Sequence, residues 1–207
     1  MCERLKELIA FCSRIRDATP ALSEIDTQVL LIEPVLALAG WSVHDVSQTR
    51  RANRSARKQS FDIEMRVDAQ STWIDLALEC KAVRSPEYNI EKMTTGNGIG
   101  GLVQMVKRDR SVWVCKAGDG VGQLRAYCAN LPQYNSGRSV PVLTNGVEWV
   151  IFNTARFTGE RRLTERLMES DIVGHARLDN PDFQQKIIDH LRPPNHTAPI
   201  EAIPTAS

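Results

Sequence analysis

The stretches Ser60-Phe61-Asp62-Ile63-Glu64-Met65-Arg66-Val67-Asp68 and Trp73-Ile74-Asp75-Leu76-Ala77-Leu78-Glu79-Cys80-Lys81-Ala82-Val83 decide the fold. In the first, Phe61, Ile63, Met65 and Val67 alternate with Asp62, Glu64, Arg66 and Asp68. A period of two marks a strand with one buried face. In the second, read as a strand from Trp73 to Val83, Ile74, Leu76, Leu78 and Cys80 point one way, and Asp75, Ala77, Glu79 and Lys81 the other. Residues two apart in a strand share a face at a spacing of roughly 6.5 Å. Glu79 and Lys81 therefore project together, while Cys80 points into the core. If the two strands pair, Asp62 sits beside Glu79. Two adjacent carboxylates repel, and a divalent cation relieves that repulsion. Mg²⁺ (or Mn²⁺) suits such a site, because it takes oxygen ligands and Mg²⁺ keeps several waters. The backbone carbonyl of Cys80 can add a ligand, and Lys81 can steady a water or neutralise a phosphate. Metal-assisted phosphodiester hydrolysis needs that combination. The same alternation also describes the solvated face of an ordinary sheet, and the residues alone leave both readings open.

Upstream, Leu5, Leu8, Ile9, Cys12 and Ile15 recur at spacings of three and four, which predicts an amphipathic helix over 3–17. Thr19-Pro20 offers a cap and a first helical residue for a second helix reaching Ala39. Pro34 inside it predicts a kink or break, and Gly40 a stop. Trp41 to Val46 reads as a short strand. Arg50 to Lys58 reads as a loop with five basic residues (Arg50, Arg51, Arg54, Arg57 and Lys58) and no acidic one. Downstream, residues 85–101 are loop-like, Leu102 to Lys107 suits a short helix and Val112 to Cys115 a strand. Gly122 to Leu131 suits a helix closed by Pro132. Val140 to Leu143 and Val147 to Phe152 flank Asn145-Gly146, a strong hairpin signal. Arg161 to Val173 fits an edge strand or a helix. Asn180-Pro181 caps a last helix bearing Phe183, Ile187, Ile188 and Leu191. From Arg192 on, four prolines and little apolar surface predict a disordered tail.

The 207 residues carry 26 Lys and Arg against 25 Asp and Glu, so any basic footprint has to be local. The length fits one domain over 1–192 plus the tail. Five scattered cysteines without a Cys-x-x-Cys pair exclude a zinc ribbon and a disulfide framework. There is no apolar run long enough to span a bilayer and no secretory leader in the first residues, so the expected location is cytoplasmic and reducing, away from membranes. Gly96-Asn97-Gly98-Ile99-Gly100-Gly101 formally matches G-x-G-x-x-G but lacks a preceding strand, and no phosphate-binding Gly-Lys-Ser/Thr occurs. No nucleotide cofactor is expected. The four histidines show no ligand spacing: His44 falls in a strand-like stretch, and His175, His190 and His196 read as surface residues. Cys80 and Cys115 read as small core residues.

In order along the chain, Ser23-Glu24-Ile25-Asp26-Thr27-Gln28, Leu31-Ile32-Glu33-Pro34-Val35-Leu36, Leu38-Ala39-Gly40-Trp41, Ser60-Phe61-Asp62, Leu78-Glu79-Cys80-Lys81, Gln123-Leu124-Arg125-Ala126-Tyr127 and Val142-Leu143-Thr144-Asn145-Gly146-Val147-Glu148-Trp149 resemble the PD-(D/E)xK nuclease superfamily. The likeness is to the N-terminal nuclease domain of type I restriction-enzyme R subunits and related stand-alone proteins, and it covers about residues 20–153. It implies an α/β fold with a central mixed sheet flanked by helices. It also implies a Mg²⁺-dependent endodeoxyribonuclease of restriction or mobile-element defence type, acting on DNA as a homodimer or with a partner subunit. By the same likeness Asp62 and Glu79 are metal ligands, Lys81 is the water-positioning or phosphate-facing base, and Glu24 is the helical acid that completes the site. Gln123 and Tyr127, one helical turn apart, face the site for DNA or metal-water contacts, although Tyr127 also fits core packing with Leu124 and Leu131. Residues 85–117 read as an insertion serving substrate choice or assembly. The basic run at 50–58, extended by Lys107, Arg108 and Arg110, fits phosphate contacts as well as a plain solvated loop. Two rival readings stand beside the enzyme. One is a non-catalytic nucleic-acid- or protein-binding module on the same fold, and the other a small adaptor with a solvated charged face.

Overall fold

Leu5 and Leu8 are buried on one side of the first helix, α1 (Glu3–Asp17), and Ile9 and Cys12 pack beside them, as the three-four spacing requires. The computed structural model describes residues 3–17, 22–51, 62–68, 70–82, 105–109, 112–115, 120–131, 133–134, 137–153, 167–168 and 172–194. Thr19 and Pro20 lie outside these. The next described helix, α2 (Glu24–Thr27), starts at a different cap. The Ser23 hydroxyl accepts from the Asp26 amide at 3.1 Å, and the Asp26 carboxylate accepts from the Ser23 amide at 3.2 Å. This reciprocal pair satisfies two donors that the first turn would leave bare. Ser23→Ala is expected to cost about 1 kcal/mol. It should appear as a lower urea midpoint at unchanged m-value; an unmoved midpoint would show the cap to be dispensable.

The helix does not break at Pro34. It widens into a π-helical turn over Gln28–Ile32, in which the Glu33 amide reaches back to the Gln28 carbonyl, and then continues as α3 (Glu33–Leu38) with Pro34 in its first turn. A proline has no N–H and is tolerated only there, so the extra residue of the π turn resets the ladder ahead of it. Gly40 ends the helix at φ 99°, with Gly40 N–H to Ala37 O at 3.0 Å and Trp41 N–H to Leu36 O at 3.1 Å. That is the left-handed cap expected of a glycine at this place. Trp41 to Val46 is not a strand but a series of turns. Trp41 and Val43 are buried, and the Trp41 indole donates to the Leu191 carbonyl at 2.6 Å. Two buried side chains at spacing two imitate a strand's alternation.

Among the described residues, six strands form the main sheet in the order β1 (Thr49–Arg51), β2 (Ile63–Met65), β3 (Leu76–Cys80), β6 (Val140–Thr144), β7 (Glu148–Phe152) and β9 (Ile172–Arg177). Only β3 and β6 run parallel. Their crossover contains α4 (Gly120–Asn130), which packs against both. A parallel pair needs such a connection, and the covering helix buries its strands on both faces. The result is an α/β fold with a mixed sheet flanked by helices. Arg50 and Arg51, read as loop, belong to edge strand β1 because Thr49 to Arg51 pair with Met65 to Ile63.

The charged side of the second strand is not open to solvent. All five β3 residues are buried, Glu79 with 3% of its surface exposed, and Asp75 just before them is buried too. Asp75 accepts from the Val67 amide at 2.8 Å and pairs with Arg138. The segment read as a helix around 102–107 contains a strand instead. β4 (Met105–Asp109) pairs with β5 (Val112–Cys115), which pairs with β8 (Leu167–Met168) in a separate three-stranded sheet. A short apolar run does not distinguish the two states. Within the ambiguous region around 161–173, β8 and the start of β9 are extended. The last helix follows a turn at Pro181 and Asp182 and consists of helical Phe183, a π-helical stretch (Gln184–Ile188) and α5 (Asp189–Leu191), with Phe183, Ile187, Ile188 and Leu191 buried. Residues 195–207, read as a tail, lie outside the described residues. No described helix is long and apolar enough to cross a membrane.

The β6–β7 hairpin turns at Asn145-Gly146-Val147. The Asn145 side chain accepts from the amides of Val147 and Glu148 at 3.1 and 2.8 Å, and Gly146 sits at φ 81° against Leu31. The following Trp149 is buried edge-on against Phe183 at 6.4 Å. The hairpin is thus keyed into both the N-terminal and the C-terminal helices.

Candidate functional site

Asp62 precedes β2, and the register Ile63↔Leu78 sets it opposite Glu79. Its amide donates to the Leu78 carbonyl at 3.0 Å, and its carboxylate accepts from the Cys80 amide at 2.7 Å. Both contacts are to β3, so the backbone of one strand orients the acid of the other. Cys80 keeps its thiol in the core, where burial pushes its pKa well up. Lys81 lies just past β3. Its amide extends the β3–β6 ladder to the Thr144 carbonyl at 2.9 Å. Its ammonium donates to one oxygen of Glu79 and, at 2.7 Å, to the side-chain carbonyl of Gln123 on α4.

Burial raises the Glu79 carboxyl to about 8, helped by the Asp62 carboxylate and, more weakly, Glu24, while Lys81 pulls it down. Burial also pulls the Lys81 ammonium down, but Glu79, Asp62 and Glu24 outweigh that and leave it raised. The Tyr127 hydroxyl is pushed up by its partial burial and then by Glu79 and Asp62. Tyr127 packs, partly buried, against the core and also feels the charges of the site. Glu24, Asp62, Glu79, Lys81, Gln123 and Tyr127 come together from α2, the β2–β3 pair and α4.

The other oxygen of Glu79 is buried and has no hydrogen-bond partner among the described residues. A buried carboxylate oxygen without a donor, beside a second carboxylate, suits a cation. Among the described residues no three His, Cys, Asp or Glu side chains form a ready cage. Mg²⁺ does not need one, since it binds through one or two carboxylates and retains water. Asp62 and Glu79 therefore fit the ion.

The sign of the pH effect follows from Glu79. Between its ordinary 4.5 and about 8, the folded chain holds a proton that the unfolded chain has released. The stabilisation is complete below the lower value and is lost as pH rises through the upper one. Metal-free protein should melt at progressively lower temperature across that window, and Glu79→Gln should flatten the slope. Cation affinity should rise over the same window, because the ion competes with the proton. An identical slope in the Glu79→Gln variant would locate the titration elsewhere.

Arg50 and Arg51 lie on β1, and nothing further is described of their side chains; Arg54, Arg57 and Lys58 lie outside the described residues, as does Arg110. The structure accordingly assembles the acidic centre and leaves the basic run undescribed. Two contacts escaped the sequence reading. Gln123 meets Lys81 across 42 positions, for which no local signal exists. His175, read as a surface residue, lies 2.5 Å from the buried Glu148. The alternation Ile172, Gly174, Ala176 against Val173, His175, Arg177 could have placed His175 on a β9 face. No family model, no curated protein and no solved structure matches the chain.

Proposed function

We propose that the chain is a divalent-metal-dependent endonuclease that hydrolyses DNA phosphodiester bonds. The observation that carries this reading is Asp62 opposite Glu79, with the Lys81 ammonium held beside them. A divalent cation on the two carboxylates supplies Lewis-acid activation of water and charge neutralisation at phosphate. The chain's own residues do the rest. The Cys80 amide holds Asp62 in place, and its carbonyl is the proposed third ligand. Lys81 has three N–H donors and uses two on Glu79 and Gln123, which leaves one for a phosphate oxygen or a water. Burial lowers the local dielectric and strengthens each of these contacts. Glu24 adds negative charge that favours the cation. The motif resemblance assigns the activity to restriction-type or mobile-element defence. Cutting both strands of a duplex then takes two copies or a partner subunit.

The test is cleavage of plasmid and linear duplex DNA by purified protein with Mg²⁺, with Mn²⁺ and with chelator, and duplex RNA in parallel. Ion-dependent DNA products support the reading; RNA products alone change the substrate, and no products with either ion refute it. One observation favours a non-catalytic binding module instead: Lys81 already neutralises one oxygen of Glu79 without any added ion. Calorimetry separates the two, since a pure scaffold has no need to bind Mg²⁺ at Asp62 and Glu79.

A further inference from the structure

Helices α1 and α3 meet over Leu8, Phe11, Pro34, Ala37 and Leu38, and between them lies an open groove of about 570 Å³. Its floor is apolar, with Leu8 and Leu38 buried and Phe11, Pro34 and Ala37 half-buried. Arg4 and Arg14 stand exposed on its rim with Glu7 between them, so the rim carries a net positive charge. The Arg14 guanidinium lies over the Phe11 ring at 5.9 Å. An exposed apolar floor inside a charged rim marks a contact surface. The chain brings a segment of its own to this place. Leu191, the last residue of α5, accepts from the Trp41 indole, and Trp41 comes three residues after Leu38. The described chain therefore reaches Pro194, three residues on, close to the end of the groove's α3 wall.

We infer that this groove is the seat of the chain's own segment Ala198-Pro199-Ile200-Glu201-Ala202-Ile203-Pro204, with Ile200 and Ile203 on the apolar floor and Glu201 at Arg4 and Arg14. Length allows it. The segment begins four residues and ends ten residues past Pro194, a reach of roughly 13–33 Å at about 3.3 Å per residue. Arg4 and Arg14 are roughly 15 Å apart along α1 at about 1.5 Å per residue. Composition favours it too. A proline holds the residue before it extended, which applies to Ala198 and Ile203. An extended polyproline-type turn of three residues brings Ile200 and Ile203 to one edge. Glu201 is the one charged side chain in 195–207, and its sign is opposite to that of the rim. The tether decides between this occupant and a free partner. Two isoleucines and one ion pair make a small contact, but a linked segment meets the groove at an effective concentration of order millimolar. The inference does not depend on the nuclease reading.

The experiment places a photo-cross-linker in the full chain by Ala202→p-benzoylphenylalanine, which leaves both isoleucines and Glu201 in place. Unlabelled and ¹⁵N-labelled chains are mixed in equal amounts and irradiated, and the products are mapped by mass spectrometry. Melting curves confirm that each variant is folded. The expected product is a cross-link within one chain to the peptides carrying 4–14 or 34–38. In Ile200→Ser/Ile203→Ser its yield should fall about tenfold, through the lost apolar contact. In Arg4→Glu/Arg14→Glu it should fall roughly fivefold, and Glu201→Arg in that background should restore it. Cross-links of mixed isotope content would put a second copy in the groove and overturn the inference. Cross-links confined to other peptides, or none, would overturn it as well. A yield unmoved by either pair of changes, or not restored by Glu201→Arg, would overturn the seating of the residues concerned.

Discussion

Asp62→Ala is expected to reduce Mg²⁺-dependent DNA cleavage at least about a thousandfold, because several kcal/mol of charge stabilisation go with the ion. The fold should survive, since Asp62 lies outside β2 and freeing the Cys80 amide leaves the β2–β3 ladder in place. Glu79→Gln should have the same effect on cleavage. It is a better choice than Ala, which would leave a hole in a fully buried strand. The amide also keeps an oxygen acceptor for Lys81, so the loss isolates the charge. Calorimetry should show Mg²⁺ binding by wild type and none by either variant. Undiminished cleavage in both variants would remove these carboxylates from the chemistry. Retained Mg²⁺ binding with lost cleavage would place the ion elsewhere.

Gly146→Ala should destabilise the fold by about 2–5 kcal/mol, from a left-handed backbone worth roughly 1–2 and overpacking worth roughly 1–3. The residue has φ 81°, and an added Cβ would lie 2.5 Å from the Cβ of Leu31. Neither group can swing away, because Leu31 is on the π-helical turn and Gly146 in a buried hairpin bend. The steric part can be separated by a double mutant. Leu31→Gly costs about 3–6 kcal/mol by itself, the buried side chain plus about 1 for glycine in a helix, but it removes the Cβ that is the obstacle. The combined loss should therefore fall short of the sum by about 1 kcal/mol or more. Strict additivity in urea titrations would mean that the contact with Leu31 is not the cause, and that backbone strain carries the whole effect. The prediction also bears on the site, since Thr144, which closes this hairpin, accepts the Lys81 amide.

Legibility differed from element to element for identifiable reasons. Helix α1, the stop at Gly40, the β6–β7 hairpin and the extended stretches around Asp62 and Glu79 depend on neighbours within a few residues, so period and turn chemistry reveal them. Pro34 correctly marked an irregularity, but the π turn that absorbs it depends on where Leu31 must pack. The turns after Gly40 imitated a strand because Trp41 is anchored by Leu191, far along the chain. The run at 105–109 is too short for its period to separate strand from helix.

The order of the residues by itself determined that Glu79 and Lys81 lie on the same side of their strand and that Asp62 can face them if the strands pair, and the motif resemblance added Glu24 and Gln123. Only the tertiary structure decided their surroundings. It set Asp62 opposite Glu79 through strand register, laid α4 over the parallel pair, and so turned a face that alternation alone describes as solvated into a buried one. An ionisable group's chemical identity is written in one residue. Its charge state and its partners depend on how much water and which dipoles the rest of the chain leaves around it, and that is a property of packing.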